Sequence, residues 1–163
     1  MLSSATWPKW LILGSILVSL SSFALPSLEI YTTPISVVML LAGIQALSQR
    51  WDCPQVFRQF VISSVFAVLG AMVMYYEIAR VNGVMQLLSQ GMVALMWLLM
   101  MASGLFQWLG LKQLGLRLDD VHLERSGRIQ MVGIALAPMV IGIPVMILGA
   151  FYMAYRIWIA KID

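Results

Sequence analysis

Long apolar stretches alternate with short polar ones along most of the chain. A helix needs about 20 apolar residues to cross ~30 Å of hydrocarbon, because it rises about 1.5 Å per residue. The pattern therefore predicts an all-α integral membrane protein, with one transmembrane domain over residues 1–163 and a helical bundle of about five transmembrane helices. The predicted spans cover approximately residues 9–26, 33–48, 57–77, 84–111 and 130–159, and residues 112–128 form a polar loop.

The last apolar segment is longer than one perpendicular crossing requires, and it contains Pro138 and Pro144. Proline lacks the backbone N–H and kinks or ends a helix. The segment is therefore either one tilted, kinked helix or a hairpin that turns near the prolines. We expect a single crossing, because each arm of a hairpin would have only about 14 residues, too few to span the bilayer.

The composition supports a membrane protein and excludes several other classes. Hydrophobic residues make up 61% of the chain and charged residues 10%, against about 45–50% and about 25% in soluble domains. The net charge is +3, but no dense basic patch is present, so we expect no nucleic-acid partner. Cys53 is the only cysteine, which excludes an internal disulfide and a CxxC redox pair.

The distribution of basic residues predicts the orientation, because cytoplasmic loops are enriched in Lys and Arg. With a cytoplasmic N-terminus, seven basic residues before the tail lie inside and only Arg80 lies outside. The seven are Lys9, Arg50, Arg58, Lys112, Arg117, Arg125 and Arg128. Arg156 and Lys161 lie outside after a single crossing and inside after a hairpin. We expect a multi-pass protein of the inner cell membrane with its N-terminus in the cytoplasm.

Ionisable side chains within the predicted spans are scarce. Glu77 lies about one turn inside the end of the third span, and Arg80 follows it on the same helical face. The two are either an ion or proton site or an interfacial ion pair, and we favour the pair. The alternative function is a small transporter or channel, with Glu77 and the fourth-span residues Gln86, Gln90 and Gln107 near the pathway.

Four neighbouring side chains of the polar loop offer the oxygen and imidazole ligands that divalent metals use. They are Asp119, Asp120, His122 and Glu124. Basic neighbours oppose a metal there, and the chain has a single histidine, so we favour a self-paired loop and expect neither a metal nor a cofactor. The chain carries no nucleophile–base set and no phosphate-binding motif, so we expect no enzymatic activity.

Small residues recur at helical spacing on two spans. Ser63, Ala67 and Ala71 recur every four residues on the third span, and Ala135, Gly142 and Gly149 every seven on the last. Small residues let membrane helices approach closely. They form either a face for a partner or second copy, or a packing face within the chain. We expect the protein to act by helix–helix association, as an oligomer or an accessory subunit, with the lipid bilayer and other membrane subunits or itself as partners.

Two apolar hairpins close with similar motifs, Leu41-Ala42-Gly43-Ile44-Gln45 and Ser103-Gly104-Leu105-Phe106-Gln107. The first hairpin opens with Trp10-Leu11-Ile12-Leu13-Gly14 and turns at Phe23-Ala24-Leu25-Pro26. In these features, residues 9–113 resemble the acid-resistance membrane protein HdeD family. The resemblance implies repeated transmembrane hairpins with six spans and a stress-related role, and it implies no catalytic residues. Residues 129–160 depart from it, because they offer one long segment.

Overall fold

The structure is a computed structural model that describes residues 6–24, 29–80, 90–139 and 141–160. These ranges contain six α-helices: α1 (Trp7–Ala24), α2 (Glu29–Arg50), α3 (Pro54–Arg80), α4 (Gln90–Leu118), α5 (Val121–Leu136) and α6 (Gly142–Ile159). A short 3₁₀ turn, Ala137–Met139, follows α5. No β-strand occurs within the described ranges, and the prediction of an all-α protein is confirmed.

Four of these helices contain segments long and apolar enough to cross a membrane. The segments are Tyr31–Arg50, Pro54–Val73, Gly91–Leu118 and Gly142–Ile159. Helix α1 contains a shorter apolar segment, Trp7–Ser21, and α5 begins with charged residues. These lengths indicate a multi-pass membrane protein.

Successive helices pack as three hairpins, α1–α2, α3–α4 and α5–α6. Helix α2 also packs on α3, α4 on α5 and α1 on α6, so the six helices form a ring. In each hairpin the second helix has a glycine against the first. An added Cβ at Gly43 would lie 2.8 Å from Ile12, one at Gly110 would lie 3.0 Å from Phe60, and one at Gly149 would lie 2.6 Å from Gln130. The absence of a side chain at these three positions allows the close approach.

The prediction of a single last helix is wrong, because residues 130–159 belong to two antiparallel helices. Arg156, near the end of α6, binds Asp120, just before α5, and Tyr152 hydrogen-bonds His122 at 2.9 Å. Pro138 favours a break between the helices. The first arm also begins earlier than expected, at Val121, so α5 has 16 residues.

The polar loop predicted at residues 112–128 is also mostly helical. Helix α4 continues to Leu118 and α5 begins at Val121, so only Asp119 and Asp120 connect them. Asp119 adopts a positive φ of 51°, a conformation that Asp tolerates better than most residues. Asp120 caps α5 by accepting a hydrogen bond from the backbone N–H of His122 at 2.9 Å. Charged side chains do not interrupt these helices because they project from the surface.

The buried core lies at one end of the ring, where α1, α3 and α5 begin and α2, α4 and α6 end. Each helix contributes at least one almost fully buried residue, including Ile12, Leu47, Phe60, Leu111, Leu123 and Ile157. Eight of the ten Lys and Arg residues also belong to this end: Lys9, Arg50, Arg58, Lys112, Arg117, Arg125, Arg128 and Arg156. We call it the basic end. The opposite end, where α3 finishes at Arg80, is the far end.

Candidate functional site

Lys9, in the first turn of α1, joins the start of α1 to the end of α6. Its side chain is buried, and Nζ donates hydrogen bonds to the carbonyl oxygens of Trp158 at 2.7 Å and Ala160 at 2.6 Å. The last carbonyls of a helix have no partner within it, and a cation there also interacts favourably with the helix dipole. Trp10 packs edge-on against Trp158, with ring centroids 4.8 Å apart. The α1–α2 and α5–α6 hairpins are therefore held together at the basic end.

Two arginines make further links at the basic end. Arg117 of α4 donates from Nε to the carbonyl oxygen of Trp51, after α2, at 3.2 Å. Arg156 of α6 donates to Oδ2 of Asp120 from both Nε, at 3.0 Å, and Nη2, at 2.7 Å. Both partners of that ion pair are largely buried, so water screens it less than a surface pair. Lys9 and Arg117 therefore link different hairpins at the basic end, and Arg156 links the two helices of the α5–α6 hairpin there.

Three of the four side chains that the sequence suggested as metal ligands have other partners. Asp120 binds Arg156, His122 binds Tyr152, and Glu124 forms an ion pair with Arg128 at 2.7 Å. Within the described ranges, no three His, Cys, Asp or Glu side chains are placed to hold one metal ion. The first two contacts join the start of α5 to α6, and the third lies within α5.

A partly open cavity of about 270 Å³ lies between α1, α2, α4 and α6. It continues from the buried core towards the far end, since its α1 and α2 residues lie farther from the basic end than the core residues Ile12, Ile44 and Leu47. Its walls are mostly apolar, with Ile16 and Leu40 on one side and Met146 and Ala150 on the other. The space exists because α2 makes no close backbone contact with α6 in the part of the chain that the structure describes.

The polar groups of the cavity differ in their availability. Ser15 Oγ donates to the carbonyl oxygen of Ile12 at 2.7 Å, and Ser36 Oγ to that of Thr33 at 2.8 Å. Such bonds within a helix use the hydroxyl proton. The half-buried amide of Gln107 makes no hydrogen bond to any residue that the structure describes. Gln107 is therefore the side chain best able to bind a polar group inside the cavity.

The transporter hypothesis placed four side chains near a pathway, and the structure describes one of them. Gln107 lines the cavity, as that hypothesis requires. Gln86 and the side chains of Glu77, Arg80 and Gln90 lie outside the described part of the chain. Sequence reasoning missed the contribution of α6 to the cavity. The serines within apolar α1 and α2 were the available indication of a space between these helices.

Three of the six small residues proposed as an association face are buried in contacts within the chain: Ser63, Gly142 and Gly149. Ser63 Oγ lies 3.1 Å from Ser103 Oγ on α4, and both glycines pack against α5. Ala67 and Ala71 are half-buried, and Ala135 is exposed. Ala135 lies on α5, so the seven-residue stripe that it was expected to form with the two glycines does not exist on one helix.

No protein-family model, curated protein or solved structure matches the chain. The function is therefore inferred from the geometry of the cavity and of the basic end.

Proposed function

We propose that the protein binds a small amphiphilic molecule in the cavity and acts as a small transporter or carrier in the inner cell membrane. The observation that carries the proposal is that a partly open, mostly apolar cavity, lined also by the amide of Gln107, adjoins the buried core of the basic end. Its volume of about 270 Å³ is close to the lower limit of small-molecule pockets, about 300–1,000 Å³.

The walls and the amide have different roles in this proposal. A hydrocarbon chain gains little by leaving lipid for an apolar protein wall, because the two environments are equally apolar. The walls therefore select the shape of the ligand. Affinity must come largely from a polar contact, and the amide of Gln107 supplies both a donor and an acceptor for it.

The proposed orientation follows from the charges at the basic end. Eight of the ten basic residues belong to this end, and Lys and Arg are enriched on the cytoplasmic side of membrane proteins. We therefore propose that the basic end, including the N-terminus, faces the cytoplasm. The cavity then lies on the side of the buried core away from the cytoplasm.

Photo-crosslinking tests the proposal. A fatty acid that carries a diazirine in its chain is added to the protein in liposomes, and crosslinked peptides are identified by mass spectrometry. We expect crosslinks to the cavity faces of α1 and α6, which Ala150→Phe abolishes by filling the space and Gln107→Leu weakens at least several-fold. Ala135→Phe makes the same change on an exposed surface and should have no effect. Crosslinking that responds equally to both phenylalanine substitutions would contradict the proposal.

A second candidate is the association predicted from the sequence, as an oligomer or an accessory subunit. Trp97 Nε1 of α4 donates to the carbonyl oxygen of Ile134, near the end of α5, at 3.3 Å. The first seven residues of α4 therefore lie beyond the level of Ile134, over about 10 Å of helix, and α5 ends two residues after Ile134. A Cβ added at Gly91 would have no atom within 4 Å, and Ala94 is exposed. These small residues leave room for the helix of another subunit.

Light scattering in mild detergent tests this second candidate. Replacing Gly91 and Ala94 with leucine should reduce the assembly to a smaller species, because the leucines would block close approach. Ala135→Leu, on a different exposed surface, is the control. An assembly size unaffected by the double substitution would exclude this surface. The stress-related role rests on the resemblance to the HdeD family alone, and we propose it on that ground only.

A further inference from the structure

We propose that the cavity binds an uncharged long-chain alcohol, whose hydroxyl group donates a hydrogen bond to Ser15 or Ser36; this inference rests on the proposed function. The first support is a repeat that relates the three hairpins. In each hairpin a glycine of the second helix packs against the first helix, and the contacts are Gly43 with Ile12, Gly110 with Phe60 and Gly149 with Gln130. Four residues after each glycine lies a side chain that is only 1% exposed: Leu47, Leu114 and Met153. Equivalent positions of the three hairpins therefore have similar surroundings.

The repeat places Ser15 opposite Ser36. One pair of small residues per hairpin lies three positions after the first-helix residue of the glycine contact and seven positions before the glycine: Ser15 with Ser36, Ser63 with Ser103, and Gly133 with Gly142. The second pair is in contact, with its two Oγ atoms 3.1 Å apart. The third is also in contact, since a Cβ added at Gly133 would lie 3.0 Å from the carbonyl oxygen of Gly142. The first pair differs in that both of its serines line the cavity.

The two serines offer acceptor oxygens to the cavity. Only 4% of Ser15 and 6% of Ser36 is exposed. Each Oγ donates its proton to a backbone carbonyl oxygen of its own helix, at 2.7 Å for Ser15 and 2.8 Å for Ser36. The lone pairs of a hydroxyl oxygen can still accept a hydrogen bond when its proton is used in this way. The pair therefore favours a ligand whose polar group carries a hydrogen-bond donor.

Charge decides which donor fits the cavity. Among the described residues that line it, none is Asp, Glu, Lys, Arg or His. An ammonium group would lose its water there without gaining a counter-ion, and an ionised carboxylate would also lack a partner of opposite charge. Burying an unpaired charge costs far more than a neutral hydrogen bond returns. A hydroxyl group avoids this cost, and it can also accept a hydrogen bond from the amide of Gln107.

Photo-crosslinking with matched head groups tests the inference. Three probes share one hexadecyl chain that carries a diazirine, and they end in a hydroxyl, a methyl ether or a primary amine. Labelling of the protein in liposomes is normalised to the content of each probe in the bilayer. We expect the hydroxyl probe to label the cavity faces of α1 and α6 roughly three- to ten-fold more than the methyl ether, through one neutral hydrogen bond. The amine should label no better than the ether. A fatty acid carries the same O–H group only when it is protonated, so it should label the site less than the alcohol.

Removal of the two acceptors tests the role of the serines. In the double variant Ser15→Ala and Ser36→Ala, labelling by the hydroxyl probe should fall to the level of the methyl ether, whose own labelling should not change. Ser63→Ala is the matched control, because Ser63 is the equivalent of Ser15 but faces Ser103. It should leave the ratio of hydroxyl to ether labelling unchanged. Circular dichroism checks the folding of each variant, and the single substitutions at Ser15 and Ser36 replace the double one if it does not fold.

The outcomes separate this inference from the proposed function. Equal labelling by the hydroxyl and ether probes, a preference for the amine, or a ratio unaffected by loss of both serines would overturn the inference. The proposed function would still stand if Ala150→Phe abolished the labelling by each probe. Labelling that Ala150→Phe leaves unchanged would instead refute the proposed function, and this inference with it.

Discussion

Replacing Gly133 with alanine should weaken the α5–α6 hairpin, although alanine is ordinarily the better helix former. A Cβ at this position would lie 2.6 Å from Cγ and 2.7 Å from the backbone nitrogen of Met146, and 3.0 Å from the carbonyl oxygen of Gly142. Two of these atoms belong to the backbone and cannot rotate away. The two helices must therefore separate by several tenths of an ångström.

The size of the effect follows from two opposing contributions. Overpacking of a tight contact costs about 1–3 kcal/mol, and the helix preference of alanine over glycine returns about 1 kcal/mol. We expect a net loss of about 1 kcal/mol in the free energy of unfolding. Gly70→Ala is the matched control, because its Cβ would meet Met100 Sδ at 3.6 Å and Leu99 Cβ at 3.7 Å, which are ordinary contacts. That variant should gain up to about 1 kcal/mol.

Unfolding by SDS in mild detergent, followed by circular dichroism, measures both variants under one condition. The free energies of unfolding should differ by about 2 kcal/mol, with Gly70→Ala the more stable. If Gly133→Ala were as stable as Gly70→Ala, the close contact between α5 and α6 would be refuted.

Two further substitutions test the links between helices. Asp120→Ala removes the cap of α5 and the ion pair with α6. It should lower the free energy of unfolding by about 2 kcal/mol. The control Glu124→Ala removes an ion pair within one helix and should lower it by about 0.5 kcal/mol or less. Ser63→Ala removes the hydrogen bond between α3 and α4 and should cost about 0.6 kcal/mol. Ser21→Ala, whose hydroxyl bonds only within α1, should have no measurable effect. Equal losses of unfolding free energy for Asp120→Ala and Glu124→Ala would contradict the contact between α5 and α6. Equal losses for Ser63→Ala and Ser21→Ala would contradict the contact between α3 and α4.

The first four helices could be predicted from the sequence because a long apolar stretch directly indicates a helix that can cross a membrane. The predicted spans at 33–48 and 57–77 fall within α2 and α3. The α5–α6 hairpin could not be separated from a kinked helix in the same way. Its turn contains no polar residue to mark it, and the contacts that establish it, such as the ion pair between Asp120 and Arg156, join residues 36 positions apart.

The candidate site was predictable only in part, for a similar reason. Gln107 was identified because a polar side chain in an apolar span stands out. The cavity depends on the separation of α2 from α6, and the closure of the basic end depends on Lys9 reaching Trp158, 149 residues away. Hydrophobic periodicity contains no information about either. The seven-residue spacing of small residues wrongly predicted a stripe on one helix for the same reason, since Ala135 and Gly142 belong to different helices.

The return of the chain to the basic end through α5 and α6 is tested most directly by reporters fused after Asp163. Green fluorescent protein folds to a fluorescent form in the cytoplasm, and alkaline phosphatase becomes active only outside it. After Asp163 we predict a fluorescent green fluorescent protein and an inactive alkaline phosphatase. After Asn82, between α3 and α4, we predict a dark fluorescent protein and an active phosphatase. An active phosphatase after Asp163, with a dark fluorescent protein, would place the two ends of the chain on opposite sides of the membrane and contradict the three-hairpin arrangement.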